Sequence, residues 1–167
     1  MQTVWFFLCY SIMKRNPNLV HLSSEHHDGL IIALRIKKAL AKLDDLAPIL
    51  AYVLHTWPIL KNHFTQEEEN FFLFPQINRN HIHIKKMLDE HQQFEQLISR
   101  LSHRSTQLKD DLLAFSELLK NHIRFEERVL FPYLEEILSE DELHQIGNRL
   151  TQSHQPLSVN WGVNFWD

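Results

Sequence analysis

The sequence predicts an all-α protein, an up-down-up-down antiparallel four-helix bundle with a short extra C-terminal helix and an irregular aromatic tail. Three Gly and six Pro in 167 residues argue against a fold rich in β turns. Apolar residues recur with the helical period in four long stretches that short links join. The length suits one domain that buries a substantial core.

The predicted helices are bounded by proline and by capping residues. Ser23 or Ser24 is the predicted N-cap of the first helix. Pro48 fits the first turn of the second helix, Pro58 should kink that helix, and Pro75 ends it. The four long helices and the short fifth helix are predicted over residues 22–43, 48–74, 83–102, 109–134 and 140–150.

We expect three segments, an apolar extension over residues 1–20, the bundle over 21–153 and an aromatic tail over 154–167. The apolar run at 4–13 is too short to cross a bilayer and lacks preceding basic residues. Met13 is a more natural start of the chain, and an apolar flap or a degenerate signal sequence are the alternatives for the run. The tail is expected to pack on the bundle or on a partner.

Charge and cysteine content exclude several classes of function. The formal net charge of −4 is mild and mixed in sign, so no nucleic-acid partner and no membrane partner are predicted. The single cysteine, Cys9, excludes an intrachain disulfide and fits a reducing compartment, so we expect a cytoplasmic protein. The oligomeric state is left open. The anomaly is the count of twelve His, because neutral imidazole binds transition metals.

The motif HxxxE occurs twice, as His63 with Glu67 and as His122 with Glu126. Residues four apart on a helix share one face, with Cβ atoms roughly 6 Å apart, so an imidazole and a carboxylate at this spacing can hold one ion. A lone pair of this kind is usually a surface pair. Two copies in one bundle predict a site for two ions.

A Glu-His step precedes each motif, at residues 25–26 and 90–91. His26 lies about as many residues before the first predicted turn as His63 lies after it. The same holds for His91 and His122 around the turn between the third and fourth helices. With a rise of about 1.5 Å per residue, the levels in each antiparallel pair agree within roughly 3 Å. All four helices therefore bring a histidine to one layer of the core.

The chemistry of a two-ion site suits this set of residues. Carboxylates that bridge two cations about 3.5–4 Å apart offset the repulsion between them, and Glu67 and Glu126 are the natural bridges. Without cations these glutamates face each other, and at least one should take up a proton. Six protein ligands leave open positions for water, hydroxide or a small diatomic gas. The terminal ligands are predicted to be His26, His63, His91 and His122.

These segments resemble the hemerythrin-like, or HHE, cation-binding family. The matching stretches are residues 24–30, 63–68, 89–91 and 122–132, and the resemblance covers about residues 20–135. It implies a four-helix bundle around a carboxylate-bridged non-haem di-iron centre. By this resemblance, the metal ligands fall on His26, His63, Glu67, His91, His122 and Glu126.

Two departures from the family pattern affect these expectations. Oxygen-carrying hemerythrins have a further histidine four residues before the one that matches His91, and here that position is Met87. The site is therefore more similar to six-ligand members linked to nitric-oxide response and iron–sulfur repair. The longer spacing between Glu67 and the following Leu-Phe-Pro leaves Glu68 as a reserve ligand.

The adjacent His26 and His27 cannot both point inward, and the match to the second Glu-His step favours His26. His55 lies two turns before His63 and can line the bundle core. All histidines outside the predicted site are otherwise expected at the surface or in hydrogen bonds. They are His21, His55, His81, His83, His103, His144 and His154.

The predicted function is that of a non-haem di-iron protein binding O2 or NO for sensing, buffering or an oxidative or nitrosative stress response. The cofactor is two carboxylate-bridged iron ions, although zinc or manganese fits the same donors. The alternatives are a metal-dependent enzyme or iron–sulfur repair factor, and a non-catalytic interaction or metal-storage module. No catalytic residue is predicted, and the sequence leaves open whether the protein is an enzyme.

Overall fold

The computed structural model of the protein describes residues 15–103, 106–153, Trp161 and Trp166, and all regular structure in these residues is helical. The four long helices are α1 (Val20–Lys42), α2 (Ala47–Phe71), α3 (Ile82–Ser102) and α4 (Leu108–Phe125). A 3₁₀ turn (Pro17–Leu19) precedes α1. A π turn (Glu126–Leu130) joins α4 to α5 (Phe131–Ile137), and α6 (Glu140–Ser153) follows.

The four long helices form a closed ring. Helix α1 packs against α2 and α4, and α3 packs against the same two neighbours. Short links join consecutive helices, so the bundle runs up, down, up and down, as predicted. Helix α6 covers one end, where it packs against α1, α2 and the 3₁₀ turn. The predicted all-α bundle with an extra C-terminal helix is confirmed.

The beginning of α1 differs from the prediction. Neither Ser23 nor Ser24 is the N-cap, because the 3₁₀ turn starts helical geometry upstream and the cap falls on Leu19, without a side-chain hydrogen bond. Ser23 therefore lies inside the helix. Its hydroxyl donates a hydrogen bond of 2.8 Å to Glu127 on the far side of the bundle.

The C-terminal ends of the second and fourth long helices also differ from the predicted ends. Helix α2 contains Pro58 as expected, but it ends at Phe71 and the chain turns before Pro75. The stretch predicted as one helix over 109–134 contains the π turn, after which Pro132 lies in the first turn of α5. Such turns widen a helix by one residue and occur frequently at functional sites.

A layer of buried polar side chains divides the core into two apolar clusters. The first core cluster lies towards the α1–α2 and α3–α4 links and includes Ile36, Tyr52, Leu60, Phe64, Phe94, Phe115 and Leu119. The second core cluster lies towards α6 and includes Leu22, Phe71, Ile84, Met87, Leu130, Phe131 and Ile146. In each long helix the residues between the two clusters carry the candidate metal ligands, so packing on both sides fixes their level.

Two aromatic residues of the predicted tail pack on the bundle. The rings of Trp161 and Trp166 have their centroids 5.4 and 5.5 Å from that of Tyr52, and the Arg35 guanidinium lies 4.3 Å from the Trp166 ring. The other tail residues beyond Ser153, and the predicted apolar run at 4–13, lie outside the described residues. The division into three segments stays a prediction.

None of the described helices combines enough length with enough apolar character to span a membrane.

Candidate metal centre

The polar layer holds all six side chains that the sequence predicts as ligands. Each is nearly inaccessible to solvent, with relative exposures between 0% and 6%. One residue comes from α1, two from α2, one from α3, and the last two from α4 and the π turn that follows it. They are His26, His63, Glu67, His91, His122 and Glu126.

The two glutamates lie between two pairs of imidazoles. One group of possible ligands contains His26 and His63, the other contains His91 and His122, and Glu67 and Glu126 belong to both groups. Within each group the ligand atoms lie within 4.8 Å of one another. Two groups of possible cation ligands therefore lie side by side and share both carboxylates.

The two oxygens of Glu67 face different imidazole pairs. Its Oε1 lies 3.4 Å from Nε2 of His63 and 3.6 Å from Nε2 of His26. Its Oε2 lies 3.5 Å from Nε2 of His91. A carboxylate in this position can give one oxygen to each of two ions.

Glu126 repeats this geometry from the opposite side. Its Oε2 lies 3.1 Å from Nε2 of His26, and its Oε1 lies 3.3 Å from Nε2 of His122. His122 and Glu126 are both fully buried. In the other HxxxE motif Glu67 is also fully buried, and His63 is 3% exposed. Both carboxylates thus have the orientation that a bridging ligand requires.

The inward-facing atoms of this layer lack hydrogen bonds to any described residue. They comprise the Nε2 atoms of the four histidines and both carboxylate oxygens of the two glutamates. A buried polar atom without a partner costs on the order of 1–3 kcal/mol, and more when it is charged. Metal ligation would explain why these atoms converge in two groups. Neutral imidazoles and carboxylates together are suitable ligands for transition metals.

The model of the family described as "Hemerythrin HHE cation binding domain" matches residues 18–134. This chain belongs to that family. The match includes all six candidate ligands and the whole four-helix ring, so the resemblance inferred from the motifs is confirmed and cation binding is the family's property. No curated protein and no solved structure matches the chain.

Each of the four imidazoles in this hemerythrin-family protein is held by a second carboxylate. Within each half of the bundle, Nδ1 of His63 lies 2.5 Å from Glu25, and Nδ1 of His122 lies 2.8 Å from Glu90. A carboxylate only accepts hydrogen bonds, so Nδ1 carries the donated proton. This fixes the ring orientation and leaves Nε2 as the ligand atom.

The other two imidazoles are held across the halves. Nδ1 of His91 lies 2.7 Å from Glu68, and Nδ1 of His26 lies 2.7 Å from Glu127. Because Glu68 and Glu127 each follow a candidate bridging glutamate, the two halves exchange equivalent contacts. The duplication seen in the sequence therefore becomes an approximate two-fold arrangement around the site.

The four outer glutamates differ in their surroundings. Glu127 also accepts bonds from Ser23 and from Arg15, whose guanidinium lies 2.9 Å away. Lys86 lies 2.5 Å from Glu90 and offsets its charge. The side chain of Glu68 is 36% exposed and reaches solvent directly. These contacts limit the cost of placing further negative charge next to the site.

The roles of the outer glutamates were not predicted from the sequence, although the signal was present. A glutamate precedes His26 and His91, and another follows each HxxxE motif. Adjacent helical residues point about 100° apart, so such a neighbour cannot reach the same ion. It can reach an imidazole on the next helix.

The residues that the sequence left as alternatives differ in burial and in their contacts. His26 is buried in the layer while the adjacent His27 is exposed. Glu68 is outside both ligand groups and holds His91 instead. His55 is exposed and lies against Trp161, so it does not line the core.

The other histidines outside the site fit the surface or hydrogen-bonded prediction where they are described. His81 stacks on Tyr133 with ring centroids 4.1 Å apart, His21 lies 3.1 Å from the Thr151 hydroxyl, and His103 and His144 are exposed. His154 lies outside the described residues.

The electrostatics of the metal-free site favour the protonated form of three imidazoles, those of His26, His63 and His91. Burial alone would lower the pKa of His63 and His91, but the Glu67 carboxylate and the outer glutamates raise the pKa of both to about 9. The pKa of His26 is likewise raised well above its usual value, against the effect of burial, by Glu126, Glu127 and Glu67.

The proton that was expected on at least one of the two bridging glutamates is not favoured on Glu67. Burial acts to raise the pKa of this carboxyl, but the facing His63, His26 and His91 hold it well below its usual range. The imidazoles are the stronger bases, so the proton stays on them.

We expect the metal-free protein to lose stability as the pH rises from about 6.5 to about 9. An imidazole with an unfolded-state pKa near 6.5 and a folded-state pKa of about 9 stabilises the fold fully below the first value. That contribution disappears as the pH passes the second value. The measurement is the melting temperature of chelator-treated protein across this interval.

A matched pair of variants provides the control. His27→Gln changes an exposed histidine and should keep the fall in melting temperature, whereas His63→Gln should reduce it. A melting temperature of the unsubstituted protein that climbs steadily through the interval would contradict the assignment of protons to the imidazoles.

Proposed function

We propose that this protein binds two iron ions that share Glu67 and Glu126. In this proposal His26 and His63 are the further ligands of one ion. His91 and His122 are the further ligands of the other ion. The observation that carries it is that the two oxygens of each buried glutamate face different imidazole pairs. A single ion would use only half of this arrangement.

The choice of metal follows from the donor atoms. Imidazole nitrogens and carboxylate oxygens suit iron, zinc and manganese, and no thiolate is present among the inward-facing atoms of the layer. Two imidazoles and two shared carboxylates would fill a tetrahedral zinc site, but they leave positions for exogenous ligands at an ion that accepts five or six donors, as iron does. Membership of the hemerythrin family favours iron.

We propose further that the iron pair binds O2 or NO and that the protein acts in sensing, buffering or an oxidative or nitrosative stress response. When bound, the iron pair supplies redox chemistry and affinity for diatomic gases. The protein's residues hold the ions, fix the imidazole tautomers through the outer glutamates and exclude bulk water with two apolar clusters. A cytoplasmic location belongs to the same proposal.

Iron loading tests this proposal. We expect anaerobically loaded protein to retain about two iron ions per chain, as a carboxylate-bridged pair requires. Fe(II) should also raise the melting temperature, because the ion binds only the folded chain. Exposure to O2 or NO should then produce new absorption bands. Iron well below two equivalents, together with an unchanged spectrum, would reject the di-iron function.

The matched controls are two double variants. His63→Ala with His122→Ala removes one candidate ligand from each ion and should abolish iron retention. His27→Ala with His55→Ala changes two exposed histidines, one on α1 and one on α2, and should leave the iron content unchanged. Equal iron in both double variants would favour the alternative of a non-catalytic module.

The outer glutamates should tune metal affinity. Glu68→Gln replaces the charged acceptor that orients His91 by a neutral amide, and mutation of such a partner typically weakens metal binding about 10–100-fold. Glu69→Gln changes the adjacent exposed glutamate and should leave affinity unchanged. Competition with a metal-binding dye measures both. Equal affinities of the two variants would show that Glu68 does not support the site.

A further inference from the structure

A groove of about 630 Å³ opens between α2 and α3 and leads to one side of the polar layer. Its lining includes Phe64, Glu68 and His91. The Phe64 ring stacks on the His91 ring with centroids 4.3 Å apart. The groove is larger than a diatomic molecule needs and falls within the size range of small-molecule sites.

His91 is the only one of the six candidate ligands that lines this groove. It is also the most exposed of the six, at 6%, whereas His26 and His63 are exposed by 2% and 3% and the other three by 0%. The His26 ring stacks on Phe131 with centroids 5.3 Å apart, and neither of these residues lines the groove. The groove therefore reaches the imidazole pair that contains His91, and neither His26 nor His63 lines it.

The protein donors do not distinguish the two ions of the proposed function. Each pair contributes two imidazoles, and both share the same glutamates. Met87, one turn before His91 on α3, is fully buried in the second core cluster and offers only a soft thioether. Access through the groove is the feature that makes the ions inequivalent.

Charged side chains of both signs lie at the mouth of the groove. Lys61 on α2 and Glu95 on α3 form an ion pair of 2.8 Å across it, and both side chains are more than half exposed. Exposed pairs of this kind are weak, so this one closes the mouth only loosely. The lining carries three glutamates against Lys61 and Arg79, so it gives anions no electrostatic advantage.

We propose that the α2–α3 groove is the route by which an uncharged diatomic molecule reaches the metal centre, and that it meets the ion held by His91 and His122 first. This inference rests on the proposed di-iron function. It adds the path, the ion that reacts and the residues that form the entrance.

The test uses full-length protein loaded with Fe(II) and NO as the probe. Gln92→Trp and Thr65→Trp place a large ring in the groove from α3 and from α2, at positions that are exposed and line it. Gln93→Trp makes the same change at the next residue, which lies in a separate depression on the α3–α4 side. Stopped-flow absorption measures the association rate constant.

We expect the rate constant to fall about tenfold or more in both groove variants, because NO then has to wait for the inserted ring to move. Gln93→Trp should bind NO at the unsubstituted rate, and the iron content of all three should be equal. Unchanged rates in the groove variants, or equal slowing by Gln93→Trp, would overturn the inference.

A crystal structure of the NO complex tests which ion reacts. NO on the ion held by His91 and His122 supports the inference, and NO on the other ion overturns it. The proposed function fails separately, if the unsubstituted protein retains no iron pair or does not respond to NO.

Discussion

The burial of two carboxylates between four imidazoles is the constraint on which the rest of the structure depends. Glu67 and Glu126 are fully inaccessible to solvent, and their oxygens have no hydrogen bond to any described residue. In a core of low dielectric constant, such charges are tolerated only when opposite charges face them. Protons on the imidazoles fill this role in the metal-free protein, and cations do so in the proposed functional state. The apolar clusters above and below hold the layer in register, so the fold is organised around these charges.

The internal duplication explains how one chain builds two equivalent half-sites. Each half contributes a Glu-His step and an HxxxEE motif, and each outer glutamate holds an imidazole on a neighbouring helix. Two contacts stay within a half and two cross between halves, so neither half completes the site alone. The symmetry is broken at the surface, where Arg15 covers Glu127 while Glu68 faces the α2–α3 groove. In the function that we propose, this difference distinguishes the surroundings of the two ions, whose protein ligands are of the same kinds.

Helical periodicity and ligand spacing predicted the bundle and the convergence of six side chains, because both depend on local geometry that a sequence records directly. The features that were missed depend on contacts between helices. Ser23 resembles an N-cap in the sequence, but the upstream 3₁₀ turn places it inside α1. There its hydroxyl donates a hydrogen bond to Glu127. The π turn after α4 has no simple sequence signature. Glu67 keeps its charge because several imidazoles face it at once, which pairwise reasoning about two facing glutamates did not include.

The most direct measurement is anomalous diffraction at the iron absorption edge from crystals of the iron-loaded protein. We predict two anomalous peaks about 3.5–4 Å apart between Glu67 and Glu126, each beside one pair of imidazoles. No peak in the polar layer, or iron bound only at the protein surface, would contradict it.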